Sequence, residues 1–188
     1  MADESKSAAP ADTLFDIRGP RGALTEAEAT TRCAPILAEG RTDFTRAVLS
    51  TWAFDEASAV VVASALAKLP GLVDVDMSDI IAGREEAIGL KVYEVLTAVL
   101  KVGTPRLSLL PVLAFSPIRP STGECLCVPQ EKRLQSINLS DNALGPKGVA
   151  SCRDMLAGQE DLQHLYLCRN GVSAEAMRTV ADLLLFRT

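Results

Sequence analysis

The residues Leu134-Gln135-Ser136-Ile137-Asn138-Leu139-Ser140-Asp141-Asn142-Ala143-Leu144-Gly145 and Leu162-Gln163-His164-Leu165-Tyr166-Leu167-Cys168-Arg169-Asn170-Gly171-Val172 carry one pattern twice. Both place apolar residues and one asparagine at the spacing L-x-x-L-x-L-x-x-N-x-L. The first copy starts at 134 and the second at 162, a period of 28. In the x-x-L-x-L part the chain is extended and alternate side chains take opposite faces. Ile137 and Leu139 therefore point inward while Asn138 faces out. The asparagine that follows turns the chain, and its amide can satisfy backbone groups that no strand ladder reaches.

A strand, a bend and a return helix every 28 residues is the signature of a leucine-rich repeat. One such unit cannot bury its own apolar face, so units have to stack. The expected fold is α/β: a right-handed leucine-rich repeat solenoid of the ribonuclease-inhibitor type. Its parallel sheet would line the concave face and its helices the convex face.

The pattern extends toward the N-terminus. Phe44, Ala47, Leu49, Trp52 and Phe54 fall on the template, with tryptophan in the asparagine position. Asp55 is placed to cap a helix over 56–69, which Pro70-Gly71 stops. Ala59, Val62, Ala63 and Leu66 form its buried stripe. The next unit starts at Leu72, with Val75 and Met77 inward, Asp74, Asp76 and Ser78 outward, and a helix over 85–101. Earlier still, 14–17 reads as a short strand, and Thr25 with Glu28 forms a capping box that opens a helix to about Leu37. The last two helices are expected over 147–156 and 174–185, the latter capped by Ser173.

Two stretches stand apart. Residues 1–12 are small and polar and read as disordered. Residues 104–131 carry Pro105, Pro111, Pro117, Pro120 and Pro129 and admit no helical stripe. They read as an insertion that loops out of a domain of about five repeats spanning 13–188.

Composition narrows the function. A net charge of −5 and a pI near 5.0 leave no basic surface to neutralise phosphates, which argues against nucleic acid. Five irregularly spaced cysteines and no signal peptide point to reduced thiols in the cytosol or nucleus. The apolar run over 107–118 is too short and too proline-broken to insert in a membrane. Cys125-x-Cys127 has no second pair at zinc spacing. His164, the single histidine, lies on an outward strand position with no nucleophile set beside it by motif. Gly145-Pro146-Lys147-Gly148 lacks phosphate-loop spacing. No metal and no cofactor is expected.

The residues Ser78-Asp79-Ile80-Ile81-Ala82-Gly83-Arg84, followed by LQSINLSDNALGPKG and LQHLYLCRNGVS, resemble the Ran GTPase-activating proteins, above all the plant-type branch. The resemblance covers roughly 14–185. It implies a crescent of leucine-rich repeats that binds Ran in its GTP state and speeds hydrolysis by holding Ran's own glutamine. That makes the chain a regulator rather than an enzyme with its own active site. The location implied is cytoplasmic, with the nuclear envelope as a second option.

By position, Arg84 matches the family's loop arginine; it would contact the GTPase, or else ion-pair with Asp79 or Glu85. Asp79 and Asp141 would be polar rim contacts or plain solvated charges. Asn142 and Asn170 would be contacts or rungs of a turn ladder. Tyr166 and His164 would offer an exposed protein-contact face. Arg169 is a departure, because the family carries there an asparagine tied to orienting Ran's glutamine. Arginine has no hydrogen-bond acceptor and a fixed charge. An inactive activator, an arginine-finger variant, and a role taken by another residue all follow, with the first preferred. The family's N-terminal targeting domain, further repeats and acidic tail are missing, which reads as a fragment with an apolar open edge. The alternative to a GTPase activator is a leucine-rich repeat scaffold that binds another protein and accelerates nothing.

Overall fold

The computed structural model describes residues 13–81, 83–101 and 133–185. The expectations of a disordered segment at 1–12 and of a looped-out insertion at 104–131 lie outside the described residues. Five short strands, β1 (Leu14–Asp16), β3 (Arg46–Val48), β5 (Asp74–Asp76), β6 (Ser136–Asn138) and β7 (His164–Tyr166), form one parallel sheet in chain order. The register follows the repeat. Ala47 pairs with Val75, Val75 with Ile137, and Ile137 with Leu165. The units that start at Phe44, Leu72, Leu134 and Leu162 thus lie side by side, and β5 meets β6 across the long segment between them.

Five helices among the described residues return the chain from strand to strand: α1 (Glu26–Leu37), α2 (Glu56–Leu66), α3 (Glu86–Ala98), α4 (Gly145–Ala157) and α5 (Ala174–Leu185). Each packs on the next in order. Their starts follow from local chemistry. Thr25 and Glu28 close a reciprocal capping box on α1. Asp55 does the same on α2 with Ser58 as its partner. Ser173 Oγ accepts the Ala176 N–H at 3.2 Å at the start of α5.

Three helix boundaries differ from expectation by two residues or more. Regular helix in α2 stops at Leu66, and Lys68 and Leu69 close tighter turns onto Ala65 and Leu66. The third helix ends at Ala98 rather than 101. The fourth opens at Gly145 rather than 147, because Pro146 suits a first helical turn.

Strand centres face the helices. Phe15, Ala47, Val75 and Ile137 are buried, as are Ile17, Leu49, Met77 and Leu139 two positions on. Each large apolar side chain so covered contributes about 1.5–3 kcal/mol. In the last unit Leu162, Leu165 and Leu167 are half-buried against the same core. A second, two-stranded pairing, β2 (Gly22–Ala23) with β4 (Trp52–Ala53), ties the first two units together. The architecture is a leucine-rich-repeat-like α/β fold with a parallel sheet.

Candidate functional site

Where each strand ends, its last residue often turns the chain with its own side chain. Asp16 accepts the Arg18 N–H, Asp76 the Ser78 N–H and Asn138 the Ser140 N–H, at 2.9, 2.9 and 3.0 Å. These are Asx-type turns, which suit the polar residue at that position. Asp76 is thereby committed to its own loop.

Three positions further, the backbone enters the left-handed region in four successive units. Thr51, Asp79, Asp141 and Arg169 have φ of 78°, 54°, 63° and 55°. Such a conformation costs a non-glycine residue about 1–2 kcal/mol. It turns the side chain of each out along one rim. Thr51 Oγ1 donates to the Gly19 carbonyl at 3.1 Å. Asp79 accepts from Arg21 Nη2 at 2.8 Å, and Asp141 is gripped by Arg169 through Nε to one oxygen and Nη2 to the other, the latter at 2.7 Å. The Arg169 hydrogen bonds hold the Asp141 carboxyl below the ordinary range. The rim therefore reads plus, minus, minus, plus, where the sequence suggested two free acids.

The next position in each unit faces the other way. Asn142 is 1% exposed and Asn170 2%. Asn142 Oδ1 accepts the Ile80 and Ile81 N–H groups, and Nδ2 donates to the Met77, Leu139 and Ser140 carbonyls. Asn170 Oδ1 accepts the Asn142 N–H at 2.8 Å and its Nδ2 donates to the Leu139 carbonyl. Both amides are spent on backbone, so of the two roles read for them the geometry supports the ladder. Trp52, two units earlier, does the same work. Its Nε1 donates to the Ile17 carbonyl at 2.7 Å, as Asn142 donates to Met77 and Asn170 to Leu139. Ile17, Met77 and Leu139 occupy equivalent positions one unit back. The sequence marked tryptophan as a break in the pattern; the indole N–H is a donor of the right reach, and that property was the signal available.

Arg84 pairs with neither Asp79 nor Glu85 among the described residues. Its Nη2 donates to the Ala53 carbonyl at 2.6 Å, and its Nε is buried without a hydrogen-bond partner. The side chain is half-buried and reaches back to the preceding unit, so the ion pair suggested for it is replaced by a backbone contact. At the far end of the sheet Tyr166 is 47% exposed and stacks on His164 with ring centroids 6.3 Å apart. Cys33 and Cys152 lie in the core, where burial pushes both thiols up to about 12 and keeps them protonated. Among the described residues no group of three or more His, Cys, Asp or Glu could hold a metal ion. No helix there is long and apolar enough to cross a membrane.

A parallel sheet of repeating strand–loop–helix units, with loops pinned by an amide ladder and a polar rim beside it, defines a leucine-rich-repeat-like protein whose distinctive surface is that rim. No family model matches the chain. It is 31% identical over 157 residues to RAN GTPase-activating protein 1 of Arabidopsis thaliana, and 32% identical over 161 residues to RAN GTPase-activating protein 2 of the same plant. These matches take in 83% and 85% of this chain and 24% of each relative. The chain thus spans about a quarter of the length of the curated relatives it matches. Over that stretch it is similar to the Ran GTPase-activating proteins of this plant.

Proposed function

We propose that this chain docks on a Ran-type small GTPase in its GTP state and regulates its hydrolysis; the relatives it resembles are named as RAN GTPase-activating proteins. In this reading the five units form a right-handed solenoid with the sheet concave and the helices convex. The rim of Thr51, Asp79, Asp141 and Arg169, with Arg84 and Tyr166 beside it, is the docking edge. Asn142 and Asn170 act behind it by fixing the loops. Positioning of this kind requires donors and acceptors held by rigid elements, which the amide ladder supports. The chain brings no catalytic group of its own; it would orient the GTPase's glutamine. A cytoplasmic site of action, with the nuclear envelope as a second location, and a part in nucleocytoplasmic transport go with this reading.

The observation that carries it is the similarity over more than four-fifths of the chain. The Arg169–Asp141 pair bears on how well it works. Arg169 offers no acceptor to a glutamine amide, and its guanidinium is already engaged. We therefore infer that the GTPase is bound while acceleration is weak. The same pair favours a second reading, a protein-binding scaffold without activation.

Single-turnover GTP hydrolysis by Ran, with this chain and with Arg169→Asn, separates the two. The expected result is Ran-GTP binding by both, and hydrolysis at least about tenfold faster with Arg169→Asn than with the parent, or about 1.4 kcal/mol of barrier. Binding without acceleration by either chain would assign the scaffold. No measurable binding of Ran-GTP would end the GTPase reading.

A further inference from the structure

The two acids of the rim are covered by its two bases. The side chains of Asp79 and Asp141 are 24% and 31% exposed, against 74% for Arg21 and 79% for Arg169, the arginines that pair with them. A partner that approaches the rim therefore meets guanidinium before carboxylate. Each arginine also keeps donors in hand. Arg21 reaches Asp79 through Nη2, and Arg169 reaches Asp141 through Nε and Nη2. Nη1 of each makes no hydrogen bond among the described residues, and a guanidinium has donors on every nitrogen. The two cations act on one place. Both hold the Asp141 carboxyl below its ordinary range, Arg169 by hydrogen bond and charge and Arg21 by charge alone.

Arg21 sits on a clamped loop. It belongs to the first unit and crosses to an acid 58 positions further on. Before it, Asp16 accepts the Arg18 backbone N–H and grips the Arg18 guanidinium. Arg32 Nη1 donates to the Arg18 carbonyl at 3.1 Å, and the same guanidinium lies 4.8 Å from the centroid of the Trp52 ring. Gly19 both donates to and accepts from Thr51 Oγ1. A Cβ on Gly19 would lie 2.4 Å from the Trp52 ring, so the loop backbone presses on the indole. After Arg21, Gly22 and Ala23 pair with Trp52 and Ala53. The chain is thus fixed on both sides of a side chain that is itself mostly in solvent. Stability does not call for that side chain, since an exposed ion pair contributes about 0–1 kcal/mol. The clamp instead supplies a guanidinium whose backbone is already ordered, which cuts the entropy lost when a partner binds it.

We propose that Arg21 and Arg169 form a two-arginine contact for an acidic segment of a partner protein, whose carboxylates take the Nη1 edges while Asp79 and Asp141 hold the guanidiniums from behind. The rim acids, read from the sequence as polar contacts, become supports for the contacts. A chain of net charge −5 repels a polyanion in general, so an acidic segment is held only where cations stand out locally. The proposal concerns the docking edge described above, yet it does not require the partner to be a GTPase, and its test contains none.

The test follows the backbone and arginine side-chain NMR signals of the whole chain during titration with hexaglutamate, hexalysine or inorganic phosphate, at about pH 6, where glutamate is ionised. Hexaglutamate should shift Arg21 and Arg169 saturably and leave Arg41, which pairs with Asp43 outside the rim, unmoved. Arg21→Gln should weaken this binding at least about fivefold, and Asp79→Asn should leave it level or tighten it. The melting temperature of both variants should stay near that of the parent. The proposal is overturned by no saturable shift at the rim, by an equal shift at Arg41, by equally tight inorganic phosphate, or by tighter hexalysine at the same signals. It is also overturned if Arg21→Gln binds as the parent does, if Asp79→Asn binds more weakly, or if Arg21→Gln melts several degrees lower, which would make the arginine a structural strut. A chain that takes hexaglutamate on the rim yet fails to bind Ran-GTP would keep this proposal and lose the preceding one.

Discussion

Two rows of residues run across the loops one position apart, and they live in opposite environments. Trp52, Ile80, Asn142 and Asn170 are buried at 4%, 0%, 1% and 2% exposure. Thr51, Asp79, Asp141 and Arg169 take left-handed backbone and stand along the rim. The inner row bonds to carbonyls and amides of the neighbouring units. The outer row bonds side chain to side chain, or to the first unit's loop, at the surface. The lesson is a division of labour. A partner can reach the outer row, and only the inner row holds the loops where the outer row needs them. Ile80 shows what an inner position does without a polar atom: it is packed, and its N–H is served by the next unit's Asn142.

The comparison breaks most readily at Asn142. Its amide reaches five backbone groups in two units, four of these bonds buried and the one from Ile81 N–H part-buried. Asn142→Ala leaves several of them unpaired, at about 1–3 kcal/mol for each group left unsatisfied. We expect a loss of about 3 kcal/mol in urea unfolding, a large share of the stability of a domain this size. Trp52→Phe should cost about 1–2 kcal/mol, since it removes one hydrogen bond and leaves the Ile17 carbonyl unserved while keeping most of the ring. The variant has no tryptophan, so circular dichroism must follow its unfolding. If Trp52→Phe cost as much as Asn142→Ala, the indole would be supporting the core rather than substituting for the ladder amide.

How much of this was open to sequence reasoning divides along the same line. Whatever depends on near neighbours was legible. The period set the strand register, Thr25 with Glu28 set the start of α1, and Ser173 set the start of the last helix. The buried role of Asn142 was legible as one of two options, because an asparagine after a strand has few other uses. Contacts that depend on distant parts of the chain were not legible. Arg84 bonds to Ala53, 31 positions back, and Asp79 to Arg21, 58 positions back. No spacing rule predicts either pair, since both arise from how successive loops overlap. The indole of Trp52 was overlooked for a different reason. The template is written in residue types, whereas the structure selects for a donor at a certain reach.

The outer row should respond to mutation in the reverse sense. Arg169→Asn removes a guanidinium that is 79% exposed from an acid that is itself at the surface. Exposed pairs of this kind contribute little to stability and are screened by salt. The urea midpoint should stay where it is, while any effect on a bound GTPase appears in hydrolysis. A clear drop in midpoint would move Arg169 into the structural set and dissolve the division between the rows.

The smallest expected effect is electrostatic and tests whether the rim pair persists in solution. Arg169 holds Asp141 below the ordinary value of 3.8, first by its hydrogen bonds and then by its charge. A carboxyl depressed on folding favours the folded state at every pH above its unfolded value. That contribution fades as pH falls and is gone below the lowered folded value. A carboxyl-carbon NMR titration should therefore place the Asp141 midpoint below 3.8 in the parent chain and return it toward 3.8 in Arg169→Asn. Arg21 also lowers Asp141 by charge alone, so a small depression should survive the substitution and disappear in high salt. If the midpoint is the same in both chains, the two side chains do not hold each other in solution. Arg169 would then be free to meet a partner directly, and the weak acceleration inferred for this chain would lose one of its two supports.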